Sequence, residues 1–587
     1  MIVIPGYTAD DKVPGVVAIN QWGAGRQSIG AIPLVLTLFG NKTSDGTANL
    51  NERVLCTTSE EADTLAGSRS ELGRMAHAAL DVPGVTLMLC PVEEAAGAAG
   101  AVATIVISGS WSTSGEITVQ LDEEIIRVAV AASHTPTTFG DALEDAIEGA
   151  QNGRLFCTAE NTTGTVVMTV ASLGVRGNQH ICFLDSSKKP AGMTISLSRL
   201  SAVTRSGGTS GPAITVTGTH STTTVYVATI TTGGSNGTAQ FSLTGNGVSL
   251  ATGVTVPTTP FTYSVPGSDS LVITWGNGTH VLNEVHTFTA AGANSNGGVF
   301  FMQGSGTDDI EDALDETESV THDYIAAAHN DAVNVALIEA SCNAKAAFDV
   351  NRLENYVVAM NGSMTAAIAI GQTGMNDQLG QCIWDQWGVE HPSRTAARFA
   401  ALRSTTEGSQ PNTNYDDVAL PGAAPHYRDA DVPNRATLKA ALNNSLTPLV
   451  TVNGTKQIVR AICSRSLNGA IPDYRTYDVG EVAVPIRIRK ELVALGQQLK
   501  ASNPYAGPDV AEGLPPPGTF TPRLWNSKVT ARMTDWASSG TDWVTDVENN
   551  LPESEWDSDA KRIMSIVPVV VKPLNHQLGV VVRQTAA

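Results

Sequence analysis

The feature that most constrains this chain is an interruption. Residues 1–95 and 304–587 alternate helix-like and strand-like segments, whereas the stretch between them reads almost wholly as short β-strands. Residues 33–39 (PLVLTLF) form a continuous apolar run and 85–90 (VTLMLC) another, the pattern of strands buried on both faces. Residues 59–80 place Leu65, Leu72, Met75, Ala76 and Leu80 on one stripe, which predicts a helix. After Gly304-Ser305-Gly306 the alternation resumes with an acidic helix over 307–317, a strand over 324–328, a helix over 333–348, a strand over 356–360 and a helix over 393–403. Such alternation predicts a largely parallel sheet. Asn453-Gly454, between the apolar stretches 449–452 and 457–463, predicts a tight hairpin. Asp478 is a good N-cap for a long helix running towards Lys500. A Pro-rich linker at 514–518 then leads to two last strands, 563–571 and 578–583.

In the middle, strands are expected at 104–108, 116–121, 125–130, 166–170 and 181–184, with one helix over 139–150. Beyond Ser206-Gly207-Gly208 only strands remain, at 213–217, 224–231, 239–243, 261–265 and 270–275, spaced as in a β-sandwich. The fold expected is an α/β (α+β) core built from both chain ends, with two consecutive inserted β-rich domains, the second sandwich-like. The boundaries read as an extended arm over 1–20, core over 21–95, inserts over 96–205 and 206–303, core again over 304–574, and a C-terminal strand or arm over 575–587.

Charge narrows the choice of partner. The chain of 587 residues has 36 basic and 57 acidic residues, a net charge of −21, which argues against nucleic acid or an anionic membrane as the main partner. Seven cysteines occur without a CxxC pair; reduced, buried thiols and folding in the cytoplasm are the plain expectation. Met1–Gly6 lacks the basic start of a signal peptide, and no apolar run reaches the roughly 18 residues of a membrane helix.

Catalytic patterns fail one by one. Gly233-Gly234-Ser235-Asn236-Gly237 matches G-x-S-x-G, but both flanks read as strands, so a Gly-rich hairpin is the better reading than a nucleophile elbow. Gly23-Ala24-Gly25 lacks the third glycine of a dinucleotide fingerprint. The histidines, including His280, His286, His322 and His329, show no metal-ligand spacing and are expected on the surface or in loops. The acids from Asp308 to Glu318 lack the turn glycine of a calcium loop and read as a solvated helix face. No enzyme activity, cofactor or metal site is expected.

One stretch departs from the acidic background. From Arg435 to Lys500 ten basic residues face four acidic ones, a net +6. This is either a solvated helix with local salt bridges or a cationic face that docks on an acidic protein partner.

The two ends of the chain carry a resemblance. Asp11-Lys12-Val13-Pro14-Gly15-Val16, followed by alternating apolar residues, is similar to the opening of tail sheath proteins of Mu-like contractile phages. The spacing of 33–40, 59–80 and Cys90-Pro91 resembles that family's N-terminal block. Asp323-Tyr324-Ile325, Asp417-Val418-Ala419-Leu420-Pro421-Gly422, the segment 434–463, Asp473-Tyr474, Tyr477-Asp478-Val479 and the closing Asn575-His576-Gln577-Leu578 resemble its core and end. The first insert resembles a β-rich domain of Mu-like sheaths; the second has no counterpart beyond its sandwich pattern.

The resemblance implies a structural subunit that polymerises as stacked hexameric rings around a tail tube and contracts to drive the tube through the host envelope in genome ejection. It implies a virion component assembled in the host cytoplasm, with copies of itself, the tail tube protein, baseplate and tail terminator proteins as partners, and neither nucleic-acid binding nor membrane insertion. Extended arms would add strands to neighbouring subunits: Val3, Ile4, Val13, Val16, Val17 and Ile19 at one end, and Leu578, Val580, Val581, Val582 and Arg583 at the other. Arg487, Lys490 and Lys500 become candidates for the face that grips the tube. The alternative is a surface adhesin or receptor-binding protein of the virion, suggested by the Thr- and Gly-rich β domains.

Overall fold

The buried runs pair with one another across the interruption. In the computed structural model, which describes residues 33–207, 211–220, 222–293, 297–347, 352–468, 471–472, 476–510, 515–538, 540–558 and 562–576, one eight-stranded sheet takes strands from both sides. Its parallel members are β1 (Val35–Asn41), β3 (Thr86–Val92), β4 (Tyr324–Ala327), β5 (Asn355–Asn361), β6 (Gly380–Asp385) and β7 (Thr447–Val452). The edge strands β2 (Val54–Cys56) and β8 (Thr455–Ile458) run antiparallel to β3 and β7. The order is β2-β3-β1-β4-β5-β6-β7-β8. Leu36 of β1 stands opposite Leu87 of β3 and Tyr324 of β4, so the seam between the two chain ends runs through the middle of the sheet.

Helices α1 (Ser59–Ala66), α2 (Glu71–Leu80), α3 (Ala332–Ala346) and α4 (Pro392–Glu407) pack on this sheet. The helix read over 59–80 is two helices. Gly67 breaks it with a φ of +92°, and a Cβ there would come 2.0 Å from Thr43 Oγ1. Ser70 then caps α2, accepting from Gly73 N–H at 2.9 Å. Helix α4 buries Ala396, Ala397, Phe399, Ala400 and Ala401 together with Arg398 and Arg403, as expected of a helix enclosed on most sides. The hairpin between β7 and β8 turns on Asn453 (φ 51°) and Gly454 (φ 76°), the left-handed pair that matches strand twist. The outer edge of β8 is covered: Ile458 N–H donates to Val418 and Leu420 N–H to Lys456, both at 2.9 Å.

The β-rich middle forms two units. In the first, strands Met193–Leu197, Val102–Gly109, Thr165–Val170 and Cys157–Thr162 make one sheet. Val299–Phe300, Ile181–Asp185, Gly115–Leu121 and Glu124–Val130 make another, and helix Pro136–Gly149 joins their common core. In the second unit a five-stranded and a three-stranded sheet close over Tyr226, Phe241, Trp275 and Phe288. The units are nested and not consecutive as the sequence suggested: Val299–Phe300, which follows the second unit, pairs with Ile181 and Cys182 of the first.

Other differences have local causes. Strands Val248–Thr255 and Val285–Ala290, β6, and the helix α6 (Pro522–Trp536) were not read from sequence. The strand expected over 563–571 is two pieces, Arg562–Ile566 and Val570–Val571, because Pro568 between them cannot donate to a ladder. The acidic helix is only Glu311–Glu316, and Asp308 before it is buried, not solvated. His280, His286, His322 and His329, expected on the surface or in loops, are each 1 % exposed or less, though His322 and His329 do lie in loops. All seven cysteines are unpaired and buried.

Past β8 the chain forms α5 (Val479–Ser502), opened by a capping box of Asp478 and Glu481. Helices α5 and α6 bury Val484, Ile488, Val529, Met533, Trp536 and Trp543 in a small core of their own.

Candidate functional site

A buried seam of charged groups fastens the first β unit to the sheet core. Its centre is Arg176, in the turn Val175–Gln179, whose guanidinium lies 2.9 Å from Glu71 on α2 and 2.8 Å from Asp308 in the segment that leads back to the core. Asn41, the last residue of β1, donates to the same Asp308 oxygen at 3.0 Å. Asp308 also accepts from Ala95 N–H at 2.6 Å, so the outgoing and returning segments of the insertion are held side by side. Burial alone would push the Glu71 carboxyl up, but Arg176 beside it outweighs this and holds it low. Burial would likewise lower Arg176, and Glu71 and Asp308 raise it, so Arg176 and Glu71 both stay charged.

A second cluster adjoins it. His180 stacks on Phe156 with ring centroids 3.8 Å apart and on His391 at 4.3 Å, and its Nδ1 meets Asp122 Oδ2 at 2.6 Å. Burial keeps His180 well below its ordinary value, and burial together with His180 brings His391 to about 3. Both rings are therefore neutral near neutral pH. Arg74 of α2 bonds Glu123 at 3.0 Å and lies over the Phe156 ring at 5.0 Å, while Arg394 of α4 also holds Glu123. The cluster thus ties the first β unit to helices α2 and α4 of the core through Glu123. Among the described residues no group of three His, Cys, Asp or Glu is arranged to hold a metal. Ser235 of the G-x-S-x-G segment lies in the short strand Gly234–Ser235, paired with Thr279–His280, and is 3.2 Å from Thr238 Oγ1.

The chain also carries an incompletely paired piece of sheet. Glu553–Asp557 and Arg562–Ile566 form a two-stranded hairpin that pairs only with itself among the described residues. Met564 and Ile566 are exposed, Ile566 at 70 %. Trp525 of α6 donates to Ser565 at 2.9 Å and ties the hairpin to the C-terminal helices. Two strands alone are marginal in water, and open edges accept further strands.

The sequence-read assembly residues fall in three places. Val3, Ile4, Val13, Val16, Val17 and Ile19, and Leu578, Val580, Val581, Val582 and Arg583, lie outside the described residues. Arg487 is a correction: it is 4 % exposed, bonded to Glu491 at 3.0 Å and to Gly408 O at 3.1 Å, and stacked over Trp543, so its charge serves the interior. Lys490 is half-buried and bonded to Asp323, while Lys500 is exposed in the last turn of α5. Arg489 belongs to the basic stretch read from sequence, and Arg352 lies outside it. With Lys490 these line a groove of about 240 Å³ beside Leu353, Ile486 and Val493, near the start of β5. The signal for excluding Arg487 was present: Glu491 stands four residues on, an intrahelical partner.

No family model matches the chain, and no curated protein matches it. Among solved structures it is similar to a sheath tail protein from Desulfitobacterium hafniense, at 12% identity and a TM-score of 0.42 over 95% of this chain and 100% of that one. It is also similar to a sheath tail protein from Listeria innocua, at 11% identity and a TM-score of 0.41 over 93% of each chain. The D2–D3 domains of the flagellar cap protein FliD from Escherichia coli match 34% of this chain and 92% of that one, at 14% identity and a TM-score of 0.10.

Proposed function

We propose that this chain is a structural subunit of a contractile tail sheath, built to polymerise and not to catalyse. The observation that carries the reading is the hairpin Glu553–Asp557/Arg562–Ile566, which pairs only with itself among the described residues, exposes Met564 and Ile566 beside Glu553 and Glu555, and lies a few residues from the terminal arm. It suits strands donated by the arms of neighbouring copies, residues 1–20 and 575–587. Exchange of this kind is heterologous and builds open helical stacks, here of hexameric rings.

In this reading the core of 21–95 and 304–574 moves as one body with its β units, because the Arg176–Asp308–Glu71 seam locks them. Contraction changes how subunits sit and drives the tail tube through the host envelope in genome ejection. The face that grips the tube is assigned to Arg352, Arg489, Lys490 and Lys500, with Arg487 withdrawn. Copies of the chain, the tube, baseplate and tail terminator proteins are the partners, and the subunit is a virion component assembled in the host cytoplasm.

Removing residues 1–20 or 578–587 tests it. Each truncation should leave a folded monomer that does not polymerise; normal tubes from either would overturn the arm-exchange reading.

A further inference from the structure

A cavity of about 290 Å³ lies where both β units meet the carboxyl ends of β5 and β6. Ligands of open parallel sheets bind in this position, beyond the strand ends. The volume is at the lower limit for ligand sites, which suits a single ring.

Its lining carries no formal charge. A phosphate or carboxylate would therefore find no counter-ion there. What the lining offers is a set of neutral hydrogen-bonding groups. Asn361, the last residue of β5, donates through Nδ2 to Glu390 O at 2.7 Å, and its Oδ1 is buried without a partner. A buried acceptor left unmet calls for a donor. Thr223 and Ser363 accept from Gly292 N–H at 2.9 Å and Ala366 N–H at 3.3 Å, which leaves each hydroxyl proton to donate. Gln179 is held by a reciprocal amide pair with Asn330 at 3.0 and 3.1 Å, and keeps one donor hydrogen and one acceptor lone pair. Two aromatic side chains, Phe300 and Trp387, complete the wall. Trp387 is held at a φ of +55°, a conformation a bulky residue adopts only when its surroundings impose it.

Donors and acceptors side by side match hydroxyl groups, which do both. Aromatic faces match the C–H face of a pyranose, and the absence of charge selects against acidic sugars and phosphates. We propose that this cavity binds a neutral monosaccharide unit, with Gln179 accepting from a hydroxyl, Thr223 and Ser363 donating to others, and the ring lying on Trp387. The proposal is independent of the sheath reading.

Saturation-transfer NMR on the full chain tests it, with glucose, galactose and N-acetylglucosamine as probes and glucose 6-phosphate as the charged control. At least one neutral sugar should show transfer at about 10 mM, consistent with the millimolar affinity of a single ring. That transfer should fall about fivefold or more in Trp387→Ala and in Ala366→Phe, which fills the cavity from an exposed helical position. Glucose 6-phosphate should show none. Absence of transfer from all three sugars, equal transfer from the phosphate, or transfer unchanged in Ala366→Phe would overturn the proposal.

Discussion

Arg176 and Asp308 lie 2.8 Å apart, both buried, and join the first β unit to the segment that leads back into the sheet core. Because Asp308 also holds Ala95 N–H, this one carboxylate closes the insertion at its base. Glu71 and Asn41 complete the ring of partners from the core side.

Replacing Asp308 by Asn strands part of the Arg176 charge in a dry seam. Breaking a buried pair from one side costs about 3–5 kcal/mol. Thermal unfolding of Asp308→Asn should show a markedly lower midpoint, and hydrogen exchange should rise first around Ala95 and Ser305. A variant with the parent midpoint would show that the seam is not what locks the unit.

Acid should loosen the same region. His391 is held near 3, against about 6.5 in an unfolded chain. Between those values the unfolded chain takes up protons that the folded chain refuses, so stability is present above about 6.5 and falls as the pH drops towards 3. The slope is about 1.4 kcal/mol per pH unit for each histidine that titrates fully. His180 would oppose the new positive charge, while Glu71 and Asp122 would offset part of it. Urea unfolding of His391→Gln should lose less stability than the parent between pH 6.5 and 4.5. An identical slope would contradict the account.

Gly67 is required by its turn. Alanine there carries strain at φ +92° and crowds Thr43, so Gly67→Ala should destabilise by about 1–3 kcal/mol. Gly84, also at positive φ but with open space around it, should cost less when changed in the same way. Equal losses at the two sites would leave the Thr43 contact without energetic weight.

The basic helix α5 separates into two roles. Arg487→Met should lower stability, by freeing Glu491 and unpacking Trp543, without changing the salt dependence of partner binding. Reversing charge at Arg489 should leave the fold intact and weaken co-assembly with the tube protein most at low salt. Unchanged co-assembly at low salt would remove the groove from the interface.

What could be read from sequence was local. Continuous apolar runs revealed β1 and β3, and Asn453-Gly454 revealed the β7–β8 hairpin, because neighbouring residues decide those features. Strand β6 (GQCIWD) escaped because it is short and poor in β-branched residues. Helix α6 escaped behind its Pro-rich approach, although Val529, Met533 and Trp536 already mark one helical face. The seam could not be read at all. Arg176, Glu71 and Asp308 look like surface charges in sequence, and only the nested path of the chain brings them together and buries them. The same holds for the cavity at Asn361, whose walls come from five separate parts of the chain.

The central claim is assembly, and negative-stain electron microscopy of the purified chain at high concentration tests it most directly. The account predicts long hollow tubes with a six-fold end view, formed alone or on adding the tube protein. Monomers that stay dispersed under both conditions would contradict it.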